Sequence, residues 1–177
     1  MQRTWPAPDL TKMPASDQGT LSARYTQVPR VLVFLTQGES VLLIRGAAHK
    51  RLWANLYNGI GGHIERSEGI LGAARRELYE ETGLRADLWL CGVITIDTGQ
   101  ETGVGVYVFR GEHPVGELRA SSEGTPEWVS RSNLAELPLV EDLYQLLPRV
   151  LELQPGEPPF SAHTSYDAQG RLQMRFD

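Results

Sequence analysis

The sequence predicts an α/β domain on three observations: β-rich apolar runs recur along the chain, a helical stretch divides them, and a second amphipathic stretch precedes a closing hairpin. Residues 1–28, with Pro6, Pro8, Pro14 and several Ser and Thr, hold no sustained apolar period and read as a loosely ordered N-terminal extension. Residues 29–177 read as the one folded domain. From Pro29 the runs RVLVFL and SVLLIR flank TQGE, a hairpin with Gly38 in its turn. Residues 49–57 are expected to be loop, and Asn58-Gly59-Ile60-Gly61-Gly62-His63-Ile64 a short strand whose glycines permit unusual backbone angles or close approach. The first helix is expected from about Ser67, with Ser67 as N-cap, Glu68 in the first turn and Gly83 as the stop. Leu71, Ala74 and Leu78 form its buried stripe. Strands are expected near Leu88–Ile96, Val104–Arg110 and Glu127–Val129, a second helix over Val140–Leu153, and a last hairpin turning at Ala168-Gln169-Gly170.

Composition narrows the function. The chain has 177 residues, 41% of them apolar, enough for one core. Its net charge is −5 and its basic residues are scattered, which argues against the phosphate-tracking surface of a nucleic-acid-polymer binder but leaves a small phosphorylated ligand open. Cys91 is the only cysteine and there is no signal-peptide core, so a cytoplasmic location is the expectation. The run Val31 to Leu35 is far too short to span a bilayer, and no membrane role is expected. Cys91, within WLCGVI, reads as core.

The strongest anomaly is the end of the first helix, where Glu77, Glu80 and Glu81 share a face. Like charges at i, i+3 and i+4 repel, and a helix C-terminus carries a partial negative charge that favours cations over carboxylates. Local rules broken twice in one turn point to function. Three hard-oxygen ligands suit magnesium, which takes carboxylates, water and phosphate oxygens in an octahedron; such an ion can draw in a diphosphate and activate water.

The spacing completes the reading. Gly62, five residues, Glu68, seven residues, Arg76-Glu77-Leu78, one residue, Glu80-Glu81, one residue, then Gly83-Leu84 resembles the Nudix box with every fixed position filled. The flanking Gly59 and Gly61 and the later EGTPEW segment also resemble a Nudix domain. The resemblance implies an α/β/α sandwich with a mixed β-sheet. It implies Mg2+, with Mn2+ as the substitute, held by Glu77, Glu80, Glu81 and the Gly61 carbonyl, with one glutamate as base. Arg76 is then expected to orient Glu77 or Glu81 through a charge-assisted hydrogen bond. Glu68 divides evenly between metal binding and a helix-start role. Glu123 resembles a glutamate that MutT-type members bring to the metal, with Glu127 as competitor and an ordinary loop acid as the bland alternative.

Substrate residues lie outside the box. YNGIGG resembles the segment of oxidised purine nucleoside triphosphate hydrolases in which an Asn reads the base, so Asn58 is the first candidate. Glu141 and Asp142, in LPLVEDL, sit where that group carries pocket acids or amides, although first-turn helix charges explain them as well. Arg45 ends the second strand and can serve a phosphate or simply solvate a strand end. Trp53 and Tyr57 can stack on a base or pack. His49, His63, His113 and His163 show no zinc spacing. The expected reaction is Mg2+-dependent hydrolysis of a nucleoside di- or triphosphate, a small-molecule substrate, to the monophosphate with pyrophosphate or phosphate. ADP-ribose or a dinucleoside polyphosphate is the alternative substrate, and a nucleotide-sensing module without catalysis the alternative class. Monomer and homodimer both remain open.

Overall fold

Alternation along the first strand builds the molecule's layers. A computed structural model describes residues 24–49 and 52–177. In β1 (Thr26–Gln37), Val31, Val33 and Leu35 are buried against Ala73, Ala74 and Leu78 of α1 (Ile70–Thr82). Between them Phe34 enters a second core with Leu143, Leu146, Leu147 and Val150 of α2 (Leu143–Glu152). A strand buried on both faces reads as a continuous apolar run, which is why RVLVFL does not alternate in hydropathy. One helix per face gives the expected α/β/α sandwich.

The remaining strands are β2 (Ser40–Gly46), β3 (Tyr57–Asn58), β4 (Leu84–Ile96), β5 (Thr102–Gly116), β6 (Gly124–Ser130), β7 (Phe160–Tyr166) and β8 (Leu172–Phe176), with a 3-10 turn at Arg131–Glu136. Their order is β3-β2-β1-β5-β4-β7-β8, with β6 on the other side of β2. The β1–β5 and β4–β7 pairs are parallel and the others antiparallel, so the sheet is mixed. Gly38, at φ 56°, turns the first hairpin, and Gly170, at φ 74°, the last.

Several boundaries differ from expectation. β1 starts at Thr26, ahead of Pro29, because its first residues pair with β5 through backbone while their side chains stay exposed. The rest of the expected extension, residues 1–23, lies outside the described residues. β4 begins directly at Leu84 and β5 runs to Gly116, a bulged ribbon in which Leu84 and Ala86 pack on the α1-side core while Arg85 and Asp87 between and beyond them are exposed. α2 is shorter than Val140–Leu153, so Glu141 and Asp142 precede it, and Arg110 anchors its far end by donating to the carbonyls of Leu151 and Leu153.

At α1 the stop is as expected: Gly83 takes φ 76° and its N–H bonds Tyr79 O at 2.9 Å. The start is not. Ser67 sits at φ 68° outside the helix, Gly69 holds the N-cap position without a side-chain bond, and Glu68 precedes the first turn. Its carboxylate is committed elsewhere. No helix among the described residues is long and apolar enough to cross a membrane.

Candidate active site

The site begins with a glycine loop laid against β1. The N–H groups of Val31 and Val33 bond the carbonyls of Gly62 (2.9 Å) and Ile60 (2.7 Å), so the loop between them runs almost as another strand. A Cβ on Gly61 would collide with the Val31 carbonyl, and one on Gly62 would collide with the Glu77 carboxylate. Glycine is therefore required at 61 for the loop to lie against β1, whereas a side chain at 62 would displace the Glu77 carboxylate. The Gly61 carbonyl, between two that face β1, enters no backbone hydrogen bond among the described residues. The Gly61 N–H donates to Glu81 Oε2 at 3.4 Å, and Glu81 is only 7% exposed.

Arg76 resolves the repulsion in the acidic turn. Its Nε and Nη2 donate to the two oxygens of Glu68, each at 2.9 Å, and Nη2 also donates to His63 O at 3.0 Å. Nη1 donates to Glu77 Oε1 at 2.8 Å and Glu80 Oε2 at 3.2 Å. All five guanidinium hydrogens are used. The Glu68 bidentate pair, foremost, and the bonds to Glu77 and Glu80 raise the Arg76 pKa further. Arg76 and the Glu65 N–H, at 3.1 Å, hold Glu68 below the usual carboxylate range. The hydrogen bond expected of Arg76 is made to Glu77, and a second to Glu80, whereas Glu81 accepts from the glycine loop. Through Arg76, Glu68 ties the loop to the middle of the helix.

Glu77, Glu80, Glu81 and Glu123 line one cleft of about 530 Å3 together with Gly61, Gly62 and Glu65. Glu123 arrives on the loop before β6, its carbonyl accepting from Ala47 N–H at 3.1 Å. Among the described residues no three His, Cys, Asp or Glu side chains already stand as a metal-binding group. The donor chemistry nevertheless fits a hard divalent cation: carboxylates around one cleft, an uncommitted Gly61 carbonyl, and second oxygens of Glu77 and Glu80 lying outside the Arg76 bonds.

A second cavity of about 510 Å3 opens on the other face of the sheet, beside the start of α2. Leu32, Val104, Val106 and Ile96 provide its apolar floor, and Asn58, Glu141, Asp142 and Thr164 its polar groups. Asn58 Oδ1 accepts from Gly59 N–H at 2.8 Å, which leaves the amide NH2 as the side chain's remaining hydrogen-bonding group. Burial raises the Asp142 pKa, partly offset by the amides of Asp142 and Leu143. Among the described residues, five buried side-chain polar atoms lack a hydrogen-bond partner, and three of them, Arg30 Nε, Asp142 Oδ1 and Thr164 Oγ1, belong to residues lining this cavity. Such atoms are normally satisfied by protein, ordered water or a ligand, so this cavity's lining carries unspent hydrogen-bonding capacity. Arg30, Trp53, Gly61 and Gly62 line both spaces, which therefore meet at the glycine loop.

Other candidates fall elsewhere. Arg45 reaches neither cavity: β2 alternates, so Ile44 joins the α1-side core and Arg45 points away from it, beside Tyr57. Glu127 accepts from Tyr57 Oη at 2.7 Å, a bond that raises the Tyr57 pKa; both are structural, and Tyr57 lies buried in the α2-side core. Trp53 is 43% exposed over both cavities, free to stack. Cys91 is core as expected, its thiol pushed up to about 12 by burial. His63 borders the acidic cleft, whereas His49, His113 and His163 line neither space. Arg30 and Thr164 escaped the sequence reading. Arg30 carried a signal, since it is in phase with Leu32 and Phe34 on an inward face; Thr164 alternates with Phe160 and Ala162 in the same way.

A family model described as the NUDIX domain matches residues 26–150. The oxidized purine nucleoside triphosphate hydrolase of Mus musculus is 30% identical over 143 residues, covering 80% of this chain and 88% of that protein. Its Danio rerio counterpart of the same name is 37% identical over 106 residues, covering 59% and 67%. Among solved structures, the MutT protein from Bacillus halodurans superposes with a TM-score of 0.72 at 23% identity over 85% of this chain and 97% of that one, a likeness of fold. The β7–β8 hairpin lies beyond the family match.

Proposed function

This chain belongs to the Nudix hydrolase family, and we propose that it hydrolyses a purine nucleoside di- or triphosphate to the nucleoside monophosphate with pyrophosphate or phosphate. Oxidised purine nucleoside triphosphates are the first substrates to try, since two relatives carry that name. The observation that carries the reading is the pair of joined spaces: an apolar cavity with a polar end, sized for a purine nucleoside, meeting an acidic cleft at Gly61 and Gly62. A nucleotide laid across the loop puts its base beside Asn58 and Asp142 and its phosphates beside the box.

Nudix hydrolases generally use divalent metal ions, and Mg2+ is the first candidate here, with Mn2+ as substitute. Glu77, Glu80, Glu81 and the Gly61 carbonyl would hold it, with Glu123 closing the cleft. A bound divalent cation supplies Lewis-acid stabilisation of the charge that develops at phosphorus and on the leaving oxygen. The chain's residues do the rest. Arg76 fixes the carboxylates of Glu77 and Glu80, so their orientation is set before substrate arrives. Glu81, buried and anchored to the Gly61 N–H, acts as ligand or as acceptor of the attacking water's proton, and either role needs its negative charge. The test is a panel of ordinary and oxidised purine nucleotides with Mg2+ or Mn2+, scored for pyrophosphate against phosphate. Folded protein that turns over none of them would sink the proposal.

A further inference from the structure

We propose that Arg30 binds the phosphate directly attached to the nucleoside and so fixes where the base ends and the phosphate chain begins; this rests on the nucleotide reading above. Arg30 lies in the part of β1 whose alternate residues, Leu32 and Phe34, face the α2 side, and its backbone bridges to His63 at the end of the glycine loop. That register places it where the two spaces meet, and it lines both. It is the one Lys or Arg among the described residues lining either space. Its Nε is buried without a hydrogen-bond partner, and no ion pair neutralises its guanidinium among the described residues.

The contrast with Arg76 sharpens the inference. Arg76 spends every donor on the protein, whereas Arg30, equally charged, keeps a buried donor unsatisfied. A buried, unpaired guanidinium donor is unfavourable unless something supplies an acceptor. A phosphate entering the cleft also passes Glu65, Glu77, Glu80, Glu81 and Glu123, so a fixed cation at the entrance lowers the repulsion it meets. The guanidinium fork matches phosphate oxygens in a way that an ammonium does not. The phosphate nearest the nucleoside is the one that must cross at Arg30.

The experiment is calorimetric binding of a purine nucleoside, its 5′-monophosphate and a non-hydrolysable triphosphate analogue, in Mg2+, to wild type, R30Q and R30K. The expectation for R30Q is a loss of about tenfold to a hundredfold for the monophosphate and by the same factor for the triphosphate, with nucleoside binding unchanged. R30K should recover only part, because it restores the charge without the fork. Unchanged monophosphate binding in R30Q overturns the assignment, as does an equal loss for the nucleoside or a loss that grows with phosphate number. Should R30Q fail to fold, the wild type still decides: added salt must weaken monophosphate binding and spare the nucleoside. Wild type that binds no purine nucleotide overturns this inference together with the function it rests on; wild type that binds while R30Q matches it overturns this inference alone.

Discussion

The two faces of the sheet solve opposite problems. On the α1 face, charges that would repel are tied down in advance: Arg76 makes five hydrogen bonds to Glu68, Glu77, Glu80 and His63, and the glycine loop seats Glu81. On the α2 face the cavity leaves Arg30 Nε, Asp142 Oδ1 and Thr164 Oγ1 buried and unsatisfied. One face is preorganised to act on whatever reaches it. The other keeps buried polar groups unpaired, and a site with such groups can discriminate strongly between ligands that do and do not meet them.

The largest effect expected from breaking this division is on the acidic face. Glu81→Gln removes a charge and little volume, so turnover should fall by about 10²–10⁴-fold with the melting temperature nearly unchanged. Single-turnover kinetics beside thermal melting measure both; full activity in the variant would remove Glu81 from the chemistry. Next comes Arg76→Met, which strips the carboxylates of their common partner. A melting temperature lower by about 2–6 °C and a large loss of turnover are expected, and a stable, active variant would show that the network is decorative.

On the opposite face a substitution should stabilise the protein while harming recognition. Thr164→Val keeps the shape and deletes an unsatisfied hydroxyl, so the melting temperature should hold or rise by about 1–4 °C while KM for the purine substrate increases. A fall in stability with KM unchanged would mean that the hydroxyl serves the fold and not the ligand.

The smallest effects are in pH dependence, where the two faces should differ in sign. Glu68 is held low by Arg76, so its stabilisation is fully present above the ordinary carboxylate pKa and is lost as pH falls through its depressed folded value. Asp142 is raised by burial, so its ionised form destabilises the fold near neutrality, and that penalty disappears as pH falls through its raised folded value. Asp142→Asn should therefore be more stable than wild type at neutral pH and lose the advantage on acidification, whereas Glu68→Gln should be less stable at neutral pH and converge with wild type in acid. Denaturant melts across the acid range distinguish the two slopes; parallel curves would refute the assignment of either group.

The acidic half of the site was legible because its residues are close in sequence. Helical geometry alone places Glu77, Glu80 and Glu81 together, and the flanking glycines mark where backbone must approach carboxylate. Ser67 resembles an N-cap because it is a serine just ahead of a helix, and only the folded loop shows that Glu68 is drawn across to Arg76. Arg45 is a cation at a strand end, yet the pleat turns it from both cavities. The same alternation turns Arg30 inward.

By itself the sequence determined the α/β class, the order of most elements and the acidic turn with its glycine loop, because each depends on residues within a few turns or one strand of one another. Tertiary structure alone decided the second cavity: β1, the loop before α2 and the β7–β8 hairpin are distant in the chain, and only the sheet's strand order brings Arg30, Asp142 and Thr164 to one space. Partners and orphans among buried polar groups are properties of packing, and no local pattern encodes which donor will be left unpaired.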